Sequence, residues 1–472
     1  MYPQPRAVHL DDEVYRIVAR LGIAEEFAAI SRPAQGLQLR DRRLEVLAEF
    51  RREPAAGRHG FPQANMFDQP VFEELLRANL SRYPDAELRG DVEVTDIVTT
   101  GTGPARVLYT RRGEAQQETI EADYVLGCDG ANSIVRDCIG STMADLHFHQ
   151  RWLVVDIATA ADLQQWDGVH QVCDPARAGT YMRIGKTRYR WEFRLLPGET
   201  AATFGSVAKL KPLIAPWTAG VPDAALELVR VAEYTFRAQL ADRWRRRNVF
   251  LLGDAAHLTP PFVGQGMCAG LRDAMNLAWK LASVLAAGLP DDVLDSYECE
   301  RKPHARFMIG MALGMGLAMT AGGRAGDLAR RLIVPHVCTI PLIRRKVFDP
   351  ATPKLRRSAL VIPARRIGDL AGTLCPNPVL GNGQRLDTEI GDGFAVLTTT
   401  NPGPADRAAV TGRGARLVHV EPGSPLAEWL RHGRATAAVI RPDHTVLCAG
   451  RDLRRVCEAL PHFTVRAPLR RD

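Results

Sequence analysis

The chain has 472 residues, 46% of them hydrophobic and 24% charged, a balance typical of folded soluble proteins that excludes a disordered or fibrous chain as the overall class. The length allows about two to four domains of ordinary size with cores that need no disulfides. Sixty-one Lys and Arg against fifty-four Asp and Glu leave +7, spread along the sequence; no nucleic-acid partner is expected, while a small positive field would favour an anionic substrate or nucleotide.

The nine cysteines, at 128, 138, 173, 268, 299, 338, 375, 448 and 457, include no CxxC pair and no zinc spacing. They read as reduced thiols of a cytoplasmic protein without a metal site. The opening MYPQPRAVHLDDEVYR lacks the apolar core of a signal peptide, and no stretch is apolar for long enough to suggest a membrane span. The Met- and Gly-rich run from Met308 reads as a packed helix end.

Helical spacing of Val14, Ile17, Val18, Leu21, Ile23 and Phe27 predicts a helical region over 11–30, split at Gly22. A second helix is predicted from Gln69 to about Arg82, with Pro70 in its first turn. DVEVTDIVTT, ARVLYTRR and ETIEADYVLGC then read as strands, and a β-rich stretch follows to about 205 as a separate layer. From Asn248 the order is a short buried strand, a Gly/Pro-rich loop and a long helix ending near Gly288. Residues 291–320 read as helical, Pro335 to Pro363 as a basic connector, and the chain from about Gly372 as a small α/β unit with strands in FAVLTTT, ARLVHVE and TAAVIRPDHTVLCAG and helices in PLAEWLRHG and RRVCEAL.

Two segments carry chemistry. In LLGDAAHLTPPFVGQGMCAGLRDAMNLAWKL, at 251–281, Gly253-Asp254 follows a buried strand, where a carboxylate can accept from ribose or ribityl hydroxyls. Gly264, Gln265, Gly266, Met267 and Cys268 lead into the helix, so the amides there and the helix dipole suit negative charge on a flat reduced ring. In DYVLGCDGANSIVRDCIG, at 123–140, a strand runs into Asp129-Gly130 and a helix starting near Ser133. Alone it is an ordinary strand-to-helix turn capped by Ser133; with the Gly-Asp segment about 120 residues later, a nucleotide site is the favoured reading.

These paired segments resemble the DG and GD motifs of class A flavin-dependent aromatic hydroxylases, the fold of p-hydroxybenzoate hydroxylase. YPQPRAVHLDDE, the GQGMCAG loop and DSYECERKPHA at 295–305 most resemble 3-(3-hydroxyphenyl)propionate hydroxylases and their phenol-hydroxylase relatives. The similarity spans residues 2 to about 310 and, more loosely, the C-terminal domain. Its motifs are specific for the superfamily and not for the substrate. The resemblance implies an α/β protein: an FAD-binding Rossmann-like domain at 1–150 and 235–330, an inserted β-sheet substrate domain at 151–234, a connector at 331–371, and a thioredoxin-like α/β domain at 372–472. It also implies a monooxygenase that uses NADH or NADPH to reduce FAD and, with O2, hydroxylates a small phenolic substrate of the 3-(3-hydroxyphenyl)propionate type. Lacking CxxC, the C-terminal domain is expected to serve in packing or in a homodimer and not in dithiol chemistry.

Carried over by motif, Arg6 and Gln69 lie along the adenosine, pyrophosphate and ribityl side of FAD. Asp129, Gly130 and Arg136 form the DG site, and Gly253 and Asp254 the ribityl site. Gly264, Gln265, Gly266, Met267 and Cys268 form the flavin loop, and Pro261 is the catalytic-loop residue lining the flavin where it meets O2. Bland alternatives stand beside these: a solvated Arg6, a helix-opening Gln69, a helix-end partner role for Arg136. His257 is read as structural and left outside the catalytic set.

Family members begin with a strand and a GxGxxG turn. Here the first residue falls after that point, so on the order of 30 residues of a first βαβ unit are expected to be missing. A start site called too far downstream, a true truncation and a segment supplied by another chain are the three readings. Weak FAD binding and easy aggregation are the expectation for the chain as given. Epoxidation or another flavin reaction on a polyketide-like aromatic, or a non-catalytic remnant of the fold, are the rival functions.

Overall fold

The structure is a computed structural model that describes residues 6–461 apart from 53–54, 100, 102, 322, 338–351 and 365–367. Residues 338–351 and 365–367 of the expected connector and residues 462–472 of the C-terminal unit therefore lie outside the described residues.

The N-terminal helices are Asp12–Arg20 and Ala24–Ile30, separated at Gly22, whose positive φ of 75° suits glycine. Asp11 caps the first by accepting from the Val14 N–H at 3.0 Å. Helix Gln69–Leu80 carries its proline in the first turn, as predicted. Tyr15, Phe27, Phe67 and Phe72 close a small aromatic core between these helices.

Of the strands predicted over 91–128, Val92–Thr99, Ala105–Arg111 and Gln117–Ala122 form an antiparallel three-stranded sheet, while the end of the last predicted one breaks off as Val125–Gly127 and joins another sheet. A second small sheet holds both motifs. Strand Val125–Gly127 pairs in parallel with Val249–Leu251, with Val249 opposite Val125 and Leu251 opposite Gly127. The chain then enters a loop and a helix from each strand: Ile134–Cys138 from the first, Gly266–Leu285 from the second. Parallel strands ending side by side leave a crevice beyond their carboxyl ends, the usual place for a nucleotide in an open α/β sheet.

The β-rich layer is wider than the expected 151–234. It is an eight-stranded sheet in the order His257–Leu258, Glu227–Ala241, Met143–Ala158, Arg188–Arg194, Gly179–Arg183, Val169–Val172, Gly36–Arg40 and Val46–Arg51. Gly36–Arg40 joins in parallel to Val169–Val172, so a hairpin from the N-terminal region completes the sheet. The sheet buries one face under helix Val207–Thr218, through Tyr181, Tyr189, Trp191, Phe193 and Trp217. Its other face carries Trp152 and Gln171, which meet Phe262 of the loop that follows the Gly-Asp motif.

Helix Ser296–Thr320 takes in the Met-rich run; Met308 and Met319 are buried and Met311 is exposed, the pattern of a packed helix end. Among the described residues, no helix is long and apolar enough to cross a membrane. The C-terminal unit is a four-stranded sheet ordered Arg416–His419, Ala395–Thr398, Ala437–Ile440, Val446–Gly450, with helices Pro404–Thr411, Pro425–His432 and Leu453–Glu458. It docks through a fully buried ion cluster. Glu300 accepts from both terminal nitrogens of Arg441 at 3.0 Å and from Lys280 at 2.9 Å, while the Arg441 guanidinium lies 5.2 Å from the Trp279 ring centre. Burial pushes the Lys280 ammonium down to about 8 although Glu300 pulls the other way. Removing one partner of such a cluster costs about 3–5 kcal/mol, because the other charge is left stranded.

Candidate active site

Asp129 shapes its own turn. Its carboxylate accepts from the Ser133 hydroxyl at 2.6 Å and the Val135 N–H at 3.1 Å, and Ser133 in turn caps the helix by accepting from the Arg136 N–H at 2.9 Å. The cap reading of Ser133 is therefore realised. Arg136 donates to Ala255 O at 3.2 Å and Ala131 O at 3.0 Å, tying the DG loop to the GD loop. Gly130 has φ of 79°, and a Cβ there would meet nothing within 4 Å, so its backbone is open to a ligand.

In the GD loop, Gly253 (φ 58°) lies against Gly270 of the following helix, where an added Cβ would come within 3.2 Å of the Gly253 Cα. The Gly253 N–H donates to Asp273 Oδ2 at 3.1 Å. That carboxylate also meets His257 Nε2 at 2.7 Å and accepts from Arg301 Nε at 2.8 Å, all three side chains being buried. Burial alone would raise the Asp273 carboxyl, but His257 and Arg301 overcome it and hold it below the usual carboxylate range. His257 is thus a strut under the loop. Asp254, next to Gly253, is exposed, as a carboxylate meant for a ligand's hydroxyls would be.

The loop from Pro260 to Gly264 turns back on itself: the Pro261 carbonyl accepts from the Gly264 N–H at 2.8 Å, and Gly264 is left-handed. Phe262 is buried in an aromatic nest with Phe148, Trp152 and Phe236, at centroid distances of 5.7, 5.6 and 6.3 Å. Its carbonyl accepts from Gln171 Nε2 at 3.1 Å, and Gln171 Oε1 accepts from the Thr180 hydroxyl at 3.1 Å. Two residues expected at the cofactor turn their side chains inward. Gln265 donates to Asp11 at 3.0 Å and accepts from Arg272 at 2.9 Å; Cys268 is buried, its thiol pushed up to about 12 by burial. What they offer a ligand is main chain. Gly266, where a Cβ would meet nothing within 4 Å, leaves the first amides of the helix uncovered.

Gln69 fastens the start of the described chain, its Oε1 accepting from the N–H groups of Arg6 at 2.9 Å and Ala7 at 2.7 Å. The Arg6 carbonyl accepts from Arg190 Nη1 of the large sheet at 2.8 Å. Arg190 also makes a buried two-point pair with Asp156, at 2.7 and 2.9 Å. Of the expected site residues, the structure ties Arg136 of the DG loop to Ala255 of the GD loop, and Gln69 to Arg6, which Arg190 holds to the large sheet. Sequence reasoning missed Asp273, Arg301, Gln171 and Arg190. Arg301 and Asp273 were in view inside DSYECERKPHA and GLRDAMNL, but their pairing spans 28 residues of chain and has no local signal.

The class is settled by family: residues 1–312 match the FAD binding domain family, and the chain belongs to it. Among curated proteins, a probable NADH-specific resorcinol 4-hydroxylase of Rhodococcus jostii (strain RHA1) is 33% identical, covering 96% of this chain and 86% of that one. A 3-(3-hydroxy-phenyl)propionate/3-hydroxycinnamic acid hydroxylase of Burkholderia cenocepacia (strain HI2424) is 30% identical over 94% of this chain and 86% of its own. Among solved structures, aklavinone-11 hydroxylase in complex with FAD and aklavinone shares the fold, with a TM-score of 0.77 and 22% identity over 98% of this chain and 92% of that one. The chain is accordingly an FAD-dependent oxidoreductase of the aromatic hydroxylase group.

The residues fit FAD on chemical grounds. Two glycines with open Cβ positions, an exposed carboxylate beside a strand end and the uncovered amides of a 20-residue helix match a flat ring, a polyol and developing negative charge.

Proposed function

We propose that the chain hydroxylates a small phenolic ring, with FAD, NADH and O2 as the other reactants. Bound FAD would supply hydride acceptance from the nicotinamide and activation of O2 for transfer of one oxygen atom. The chain's own residues do the rest. Asp254 accepts from ribityl hydroxyls, while the Gly130 turn and the Gly266–Cys268 amides flank the ring system, the amides stabilising negative charge on it. Arg6 and Gln69 line the side leading to the adenosine. The Pro261 turn and the nest of Phe148, Trp152, Phe236 and Phe262 exclude water and hold the aromatic substrate flat.

The observation that carries this reading is that Arg136 joins the two motif loops, while Phe262 of the loop after the Gly-Asp motif is held by Gln171 against the aromatic-lined sheet face. The relatives named for resorcinol and for 3-(3-hydroxyphenyl)propionate set the substrate panel. With FAD supplied, NADH consumption should speed up on adding resorcinol, 3-(3-hydroxyphenyl)propionate or a related phenol. An unchanged NADH rate across the panel would reject the reading. The described cysteines are all free thiols, which suits a cytoplasmic enzyme.

A further inference from the structure

The Arg301 end of the Asp273 strut borders a space that the flavin loops do not use. There helices Asp12–Arg20, Gly266–Leu285 and Ser296–Thr320 meet the C-terminal unit around a cavity of about 80 Å³ that is partly open to solvent. A water needs roughly 10–15 Å³ of such space, so the cavity takes about five to eight waters or one small polyatomic ligand, and neither a flavin nor a nicotinamide. Most of its charged wall is already paired. Arg16 donates to Asp387 and, at 2.6 Å, to the Cys375 carbonyl, and Arg272 spends its three nitrogens on Glu13, Gln265 and Asp11. The two carboxylates in the wall are spent too: Glu13 accepts from Arg272 and Thr352, and Asp443 from Arg441 and the Thr445 N–H.

Three lining groups are left over. Arg301 gives Nε to Asp273 at 2.8 Å and Nη2 to the Ala269 carbonyl at 3.3 Å, and no described group accepts from its Nη1. His304 lies three residues on, on the same helix face; it is 4% exposed, yet no described group bonds either of its ring nitrogens. Thr445, from the C-terminal unit, is buried with no described partner for its hydroxyl. Burial, with Arg301 and Arg272 nearby, holds the His304 ring well below its usual range, so the ring is neutral and offers one N–H. Buried polar groups without partners cost free energy unless a ligand completes them. A guanidinium nitrogen, an imidazole N–H and a hydroxyl can all donate to one ligand whose oxygens only accept, as those of a carboxylate or phosphate do.

We infer that this cavity is a binding site for a small oxyanion, held by Arg301 Nη1, the His304 ring and the Thr445 hydroxyl across the seam between the FAD-binding and C-terminal units. Arg16 and Arg272 in the same wall offset the anion's charge, while Asp11, Asp273 and Asp387, which balance the arginines, do not line the cavity. The occupant would fasten the C-terminal unit to the arginine that holds Asp273. Nothing is transferred or oxidised there, and the site stands independently of the hydroxylase reading.

The test is calorimetric titration of the full chain, with FAD in excess, by inorganic phosphate and separately by acetate, at constant ionic strength made up with chloride. One saturable site is expected for at least one of them, and the tighter arm tells whether the oxyanion is a phosphate or a carboxylate. His304→Leu and Thr445→Val should each weaken that binding by about tenfold or more; Arg301 is left in place because it belongs to the strut. The bound anion should raise the melting temperature of the wild type and not that of His304→Leu. In chloride alone His304→Leu should melt no lower than wild type, since it removes an unpartnered buried polar group. Thr445→Val keeps the shape of its side chain, so it decides the matter even where His304→Leu disturbs packing. No saturable site for either anion, or wild-type affinity in Thr445→Val, overturns the assignment. Anion binding seen only when FAD is left out belongs to the cofactor crevice and overturns it as well.

Discussion

Asp273→Asn should loosen the loop that carries Asp254 without touching Asp254 itself. The native carboxylate serves three donors at once: Gly253 N–H at 3.1 Å, His257 at 2.7 Å and Arg301 at 2.8 Å. An amide of the same shape presents one oxygen and one NH2 group, so at least one donor faces a donor, and the Arg301 charge loses its buried partner. Breaking a buried pair of this kind costs about 3–5 kcal/mol. At about 2–4 °C per kcal/mol for a domain of this size, the melting transition should fall by roughly 6–20 °C. FAD affinity should fall with it, since Asp254, the proposed ribityl ligand, follows the Gly253 N–H that Asp273 holds. The assay is thermal unfolding followed by circular dichroism, together with FAD titration by fluorescence quenching. A melting point within about 2 °C of wild type and an unchanged FAD Kd would refute the idea that Asp273, His257 and Arg301 act as one strut.

Asp254→Ala should weaken FAD by about 10- to 100-fold, the worth of a hydrogen bond to a charged group of about 1.5–3 kcal/mol, with little change in the melting of the apoprotein; equal affinity in the FAD titration would remove Asp254 from the site. Gly316→Ala should destabilise by about 1–3 kcal/mol and lower the yield of hydroxylated product per NADH, because its Cβ would fall 2.6 Å from the Phe262 ring; Gly314→Ala, where a Cβ would meet nothing within 4 Å, is the control and should stabilise by about 1 kcal/mol. His170 is fully buried and its Nδ1 accepts from Trp217 Nε1 at 3.1 Å; burial, helped by Arg40, holds it down to about 3. Its folded value lies below its unfolded one, so stability is complete above about pH 6.5 and falls as pH drops toward 3. Denaturant midpoints measured across that window should fall less steeply in His170→Asn, and an identical slope would contradict the reasoning.

The elements were legible wherever the pattern is local. The Gly22 break, the Pro70 helix start and the order strand, loop, helix after Asn248 follow from periodicity and turn chemistry. The two motifs were legible as a pair, and the parallel pairing of Val125–Gly127 with Val249–Leu251 explains why they occur as one. What side chains do within a motif was less legible. Asp129 spends its oxygens on Ser133 and Val135, and Gln265 and Cys268 face the N-terminal helix, because a tight turn before a helix needs its polar groups paired at home. The extent of the large sheet was hidden too. Gly36–Arg40 is assigned no element from the sequence, and only tertiary pairing with Val169–Val172 makes it part of that layer. Buried charges such as Arg190, Arg301 and Arg441 look like surface residues in sequence, since burial of an arginine depends on a partner far away in the chain.

Oxygen transfer itself can be followed by mass. With FAD and NADH supplied under ¹⁸O-labelled O2 in unlabelled water, the hydroxylated phenol should carry one labelled oxygen per molecule, formed in step with NADH consumed. Product whose new oxygen comes from water, or NADH consumed with no hydroxylated product from any phenol of the panel, would contradict the assignment of this chain as a flavin-dependent aromatic hydroxylase.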